Sequence, residues 1–143
     1  MKKLLILFIV VCLTGCVKND DFSKTCKIST KTQNITDEVV NYITYDADDN
    51  VKKVVAVRTI TALNYSGETT LKDIKESAIS FNKKYAGDKN IKITVSKDSK
   101  DVYEIKYYLN VLKLKDSTLD EFKLKKNSIK LFKKMRDENI NCE

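Results

Sequence analysis

Histidine, proline and tryptophan are absent from this 143-residue chain, and glycine occurs only three times. Without histidine there is no Ser-His or Cys-His relay and no His-ligated zinc, so the commonest hydrolytic and metal-assisted chemistries are excluded. Arginine is nearly missing too, with Arg58 and Arg136 the only two, so bidentate forks for phosphate, carboxylate or guanine are scarce. A nucleic-acid partner is therefore not expected, although the formal net charge is +7. Heavy use of Lys, Asn and Ile over Arg, Ala and Pro suggests an A·T-rich genome and a low-G+C bacterium with one membrane. The sequence has no internal repeat, no low-complexity tract and no linker that would divide it. At 42% apolar residues it can supply one modest core.

The longest apolar run, Leu4 to Leu13, has ten residues, whereas a membrane-crossing helix needs roughly 20. Preceded by Met1-Lys2-Lys3, it reads as an export signal. Its ending, Leu13-Thr14-Gly15-Cys16, resembles the bacterial lipobox. That resemblance implies cleavage of a signal peptide, residues 1–15, before Cys16, and transfer of a diacylglyceryl group to the Cys16 sulfur. Residues 16–24 then form a lipidated tether and residues 25–143 a single extracytoplasmic domain. The expected location is the outer side of the cell membrane, where the lipid anchors the chain. In a host with two membranes Val17 lacks the aspartate associated with inner-membrane retention, so an outer-membrane location would follow.

With Cys12 lost in the signal and Cys16 carrying lipid, Cys26 and Cys142 remain as a pair in an oxidising compartment and are expected to be joined. From Cys26 the pattern is that of strands. Cys26, Ile28 and Thr30 alternate with polar neighbours, and Glu38–Tyr45 and Val51–Thr61 are β-branched and aromatic runs joined by an Asp/Asn-rich turn. Both of these runs are apolar on two faces, which suits central covered strands or a bulge. Thr69 or Thr70 is a candidate cap for a helix with Leu71, Ile74, Ala78, Phe81 and Tyr85 on one stripe, and Gly87 a candidate left-handed end. A second hairpin follows over Ile91–Val95 and Tyr103–Val111. Two helices close the chain, one capped at Ser117 or Thr118 with Leu119 and Phe122 inward, the other spanning about Ser128–Glu138 and burying Ile129, Phe132 and Met135. The order βββ-α-ββ-α-α predicts an α+β domain, an antiparallel sheet of about five strands with helices packed on it.

Asp46, Asp48 and Asn50 match the first three ligands of a calcium loop, but Val51 and Val57 stand where glycine and the bidentate glutamate are required. The stretch is read instead as a hairpin turn whose acids bond their own backbone, and no metal or cofactor is expected. Lys123, Lys126, Lys130, Lys133 and Lys134 fall along one side of the C-terminal helices, the wet side of an amphipathic pair or a face for anionic lipid. Tyr103 and Tyr107 share a strand face with Ile105 and Leu109 and belong to the core. Tyr42, Tyr45 and Tyr108 are the candidates for a ligand-binding sheet face.

These features together resemble a known family. A lipobox, a cysteine ten residues later, the hairpin Tyr45-Asp46…Asp49-Asn50-Val51-Lys52-Lys53-Val54, a helix ending Lys83-Lys84-Tyr85, and a closing helix with a cysteine at the tail are similar to the YehR-like small bacterial lipoproteins of unknown function. The resemblance implies an envelope lipoprotein with an α+β domain and supplies no catalytic or binding residues. The expected role is a binding or accessory module at the cell envelope, with an envelope protein as the default partner. The alternatives are a small envelope hydrolase using carboxylates or a Ser-Lys pair, and a structural coat component.

Overall fold

In the computed structural model, residues 21–143 are described. The expected signal peptide, Cys16 and the first part of the tether lie outside those residues. β1 (Phe22–Lys31), β2 (Ile35–Tyr45) and β3 (Val51–Ala62) form an antiparallel meander, and α1 (Tyr65–Lys84) follows. β4 (Ile91–Asp98) and β5 (Val102–Asn110) make the second hairpin, and a 3₁₀ turn, α2 (Asp116–Glu121), α3 (Ser128–Asp137) and β6 (Asn141–Cys142) complete the chain. The strands lie in the order β4-β5-β3-β2-β1-β6, every neighbouring pair antiparallel. This is an α+β domain of six strands, one more than the five expected, because two residues of the tail pair with β1. β1 starts at Phe22, so residues 22–24 are strand and not tether.

Period-two alternation assigns each strand an inner and an outer face. The inner face carries Cys26, Ile43, Val54, Ile60, Tyr103, Ile105 and Leu109, all at most 3% exposed. The helices cover it from one side only. Apolar residues on the other faces of β2 and β3, which suggested double coverage, instead form a partly exposed outer surface, and a bulge sits between Thr44 and Tyr45. The core is split in two. Ile60, Leu71, Tyr103 and Ile105 pack under the start of α1, while Val51, Val54, Leu109, Leu119 and Leu131 gather under α2 and α3.

Cys26 and Cys142 are joined across the β1–β6 pair and close a separation of 116 residues. The Asp46–Asn50 turn is locally satisfied. The Asp46 Oδ1 atom accepts from the Asp48 and Asn50 amides, and these bonds, led by Asn50, hold its carboxyl below the usual carboxylate range. Asp49 takes a left-handed φ of 62° and accepts from the Ser128 hydroxyl at 2.8 Å, fastening the turn to the start of α3.

Three local expectations change. Helix α1 begins a turn before Thr69, because Asn64 accepts from the Gly67 amide and caps it. Gly67 lies inside that first turn, where what it supplies is space: a Cβ there would stand 2.1 Å from the Asn34 carbonyl oxygen. Gly87, at φ 96°, turns the chain two residues past the cap at Tyr85. Helix α2 is entered through Lys115 without a side-chain cap, so neither Ser117 nor Thr118 holds that position. In α3 the inward residues are Ser128, Leu131 and Met135, with Phe132 beside them. Ile129, expected in the core, is 63% exposed, since it sits about 100° round the helix from Ser128.

Candidate functional site

The helix layer leaves part of the inner sheet face uncovered. Helix α1 crosses β3 and β5, while α3 packs over the end of the sheet marked by Val51 and Tyr45. Between them lies a groove of about 800 Å³, open on one side. Its floor is β1–β3, with Ile28, Val39, Asn41, Ala56 and Arg58. Ile74, Ala78 and Phe81 of α1 form one wall, and Met135, Glu138 and Ile140 the other. This accounts for Ile28, which alternates as a core residue yet is 37% exposed: no helix reaches it.

Arg58 is the unexpected member. It stands on a central strand, opposite Val39 and Ile105, where alternation calls for an apolar side chain. Asp37 of β2 holds it with two bonds, from Nε to Oδ1 at 3.0 Å and from Nη2 to Oδ2 at 2.6 Å. The pairing raises the Arg58 pKa above its ordinary value, outweighing the opposite effect of burial. A guanidinium has five N–H donors, so three remain after Asp37. Diagonal to Arg58 on the same face is Asn41, whose amide makes no side-chain hydrogen bond among the described residues.

At the far end the walls are aromatic. Phe81, Phe122 and Tyr107 meet edge to face, with ring centroids 5.5 to 6.4 Å apart. Tyr107 donates to Asn82 at 3.2 Å, and burial pushes its phenol pKa up. Tyr85 donates to Glu121, and burial together with that carboxylate pushes its pKa up to about 12. Lys84 and Tyr85 in turn hold Glu121 below the usual carboxylate range.

The predicted candidates separate. Tyr42 and Tyr108 lie on the outer sheet face, in the row Tyr42–Val55–Tyr108–Lys92, at 50% and 37% exposure. Tyr45 points the other way and packs between Phe22 and Phe132. Of the lysine series, Lys123 and Lys126 lie in the turn between α2 and α3 and only Lys130, Lys133 and Lys134 stand on a helix. Lys126 pairs with Asp116, Lys134 donates to the Lys123 carbonyl, and Lys123 and Lys134 both border the groove. The sequence signal for the groove was Arg58 itself, a rare arginine inside a strand-forming run.

No family model matches the chain, and no curated protein sequence matches it. Among solved structures, the NMR structure of a protein from Streptococcus pneumoniae TIGR4 superposes with a TM-score of 0.51 at 13% identity, covering 100% of this chain and 97% of the other. The likeness is one of fold. At that identity it carries nothing about activity or ligand.

Proposed function

We propose that this chain is a lipid-anchored envelope protein, tethered through Cys16, whose groove binds a ligand. The anchoring part rests on the charged start, the ten-residue apolar run and the Leu-Thr-Gly-Cys ending. No described helix is long and apolar enough to cross a membrane. A tether of at most six residues up to Phe22 reaches about 20 Å, so the domain sits close to the lipid surface. The similarity to YehR-like lipoproteins points the same way.

The observation that carries the binding reading is the groove: apolar walls around a floor whose Arg58 and Asn41 donors are not fully used. Concave, mostly apolar sites with a few convergent polar groups are the usual form of ligand sites. The groups at its border favour binding over hydrolysis. The Ser77 hydroxyl is bonded to the Asp73 carbonyl, and Glu121 is fixed in its ionised form by Lys84 and Tyr85, the reverse of what a general acid requires.

Radiolabelled palmitate and cell fractionation test the anchor. The parent chain incorporates label and partitions with membranes; Cys16→Ser abolishes both. Unchanged incorporation and retention in that variant would overturn the anchoring. Crosslinking on intact cells, with Ala78→Trp as the groove-blocked control, tests the binding role. A neighbour captured equally by both forms would dissociate it from the groove.

A further inference from the structure

Resting on the binding reading above, we infer that the groove takes a short extended stretch of uncharged, apolar polypeptide, with peptide groups on Asn41 and Arg58. Length comes first. The α1 wall runs from Thr70 to Phe81, eleven residues of helical rise, about 16 Å at ~1.5 Å per residue. Roughly five extended residues fill that length at ~3.3 Å each.

Spacing comes second. Asn41 and Arg58 are diagonal neighbours on adjacent strands, and such positions lie roughly 7–8 Å apart. Peptide groups on one side of an extended chain recur every second residue, about 6.7 Å. Asn41 offers both a donor and an acceptor, and Arg58 keeps three N–H donors, so a peptide N–H and C=O can pair at Asn41 and a second C=O, two residues on, at Arg58. Alternate side chains then meet Ile28 and Met135 or Ile74, Ala78 and Phe81.

Charge decides between a peptide and a fatty-acid-like anion of the same length. Asp37 offsets Arg58 on the floor, and Lys84 offsets Glu121 at the end. Lys123 and Lys134 at the border are matched by Asp73 and Glu138. The site is neutral overall, so a carboxylate head would surrender its hydration without a net cation in return. Peptide groups require none.

The test is a titration of the full-length protein in nanodiscs with a fluorescein-labelled peptide of five apolar residues, its termini otherwise blocked, and empty nanodiscs as blank. Binding is expected to saturate, and to weaken at least tenfold in Asn41→Ala and in Ala78→Trp at unchanged melting temperature. A peptide with glutamate at its centre is expected to bind at least tenfold more weakly. Laurate serves as the competing probe. If laurate binds more tightly than the peptide and is lost in the same variants, the groove stands as a binding site but the peptide assignment falls. If neither probe responds to the groove variants, the assignment and the binding reading fall together.

Discussion

Removing the Cys26–Cys142 bond is expected to cost the domain a large part of its stability. The bond closes a separation of 116 residues, almost the whole folded chain. On the chain-entropy account, freeing a loop of that length returns about 5 kcal/mol to the unfolded ensemble. Replacing both cysteines by alanine adds about 1 kcal/mol, because Cys26 is fully buried and its sulfur leaves a gap. Against a net stability of about 5–15 kcal/mol for an ordinary domain, that total of about 6 kcal/mol is between roughly two fifths and all of it. The native contacts that remain are few: β6 contributes only Cys142 opposite Cys26 and Asn141 opposite Lys27, with the Thr25–Glu143 amide pair beyond them. Urea unfolding followed by far-ultraviolet circular dichroism measures the effect in the double alanine variant and in the parent under reductant. With a urea slope of about 1–3 kcal/mol per molar, the midpoint falls by at least about 2 M. The slope itself rises, since the unfolded chain is no longer cross-linked. A loss below about 2 kcal/mol with an unchanged slope would refute the argument, because it would place the bond's effect in the native contacts alone.

Gly67→Ala should destabilise by about 2–3 kcal/mol and lower the melting temperature by roughly 10 °C, because its Cβ would stand 2.1 Å from a backbone oxygen that accepts from the Leu63 amide. A neutral or stabilising result, as helix propensity alone predicts, would contradict that contact. Tyr85, with its pKa raised to about 12, contributes stability that is complete below the ordinary tyrosine value near 10 and declines as pH climbs from there through about 12. Ultraviolet titration of Tyr85→Phe against the parent should show the lost phenolate step at the alkaline end; a step near 10 would be inconsistent with a buried Tyr85 bonded to the Glu121 carboxylate. The double variant Asp37→Val with Arg58→Leu should remain within about 1 kcal/mol of the parent, and Asp37→Val alone should cost more by leaving Arg58 unpaired. Chemical denaturation of the three forms decides this, and a double variant less stable than the single one would reverse it.

The sheet was readable because its strands alternate. Ile91–Ile93–Val95 and Tyr103–Ile105–Tyr107–Leu109 carry their inner face in plain period two, and the hairpin turns are marked by Asp and Asn. The helix ends were less readable because their caps depend on tertiary contacts. Asn64 also bonds the Gln33 carbonyl and the Asn34 side chain, and those partners, brought close by the β2–β3 pairing, fix where α1 starts. The sixth strand, two residues long, carries no periodicity and exists because Cys142 is bonded to Cys26. Of the site, the aromatic end and the α1 stripe were visible as an apolar pattern, but a stripe that faces a groove and one that faces a core have the same spacing. Ile74, Ala78 and Phe81 are only half-buried for that reason. Tyr42 and Tyr108 were found as exposed tyrosines, on the face opposite the groove.

The groove itself follows from how few residues cover the sheet. Six strands are served by one long helix, α1, and by α2 and α3, with six and ten residues. Neither of the short helices extends over Ile28 and Val39. A sheet with that much uncovered inner surface could be closed by larger apolar side chains on its floor, and replacing an ion pair such as Asp37–Arg58 by apolar residues often costs no net stability. Instead the floor carries an ion pair and an unbonded amide at the place where the helix layer is missing. Their remaining donors border the part of the inner face that the helices leave open among the described residues, between the first strand of the domain and its longest helix.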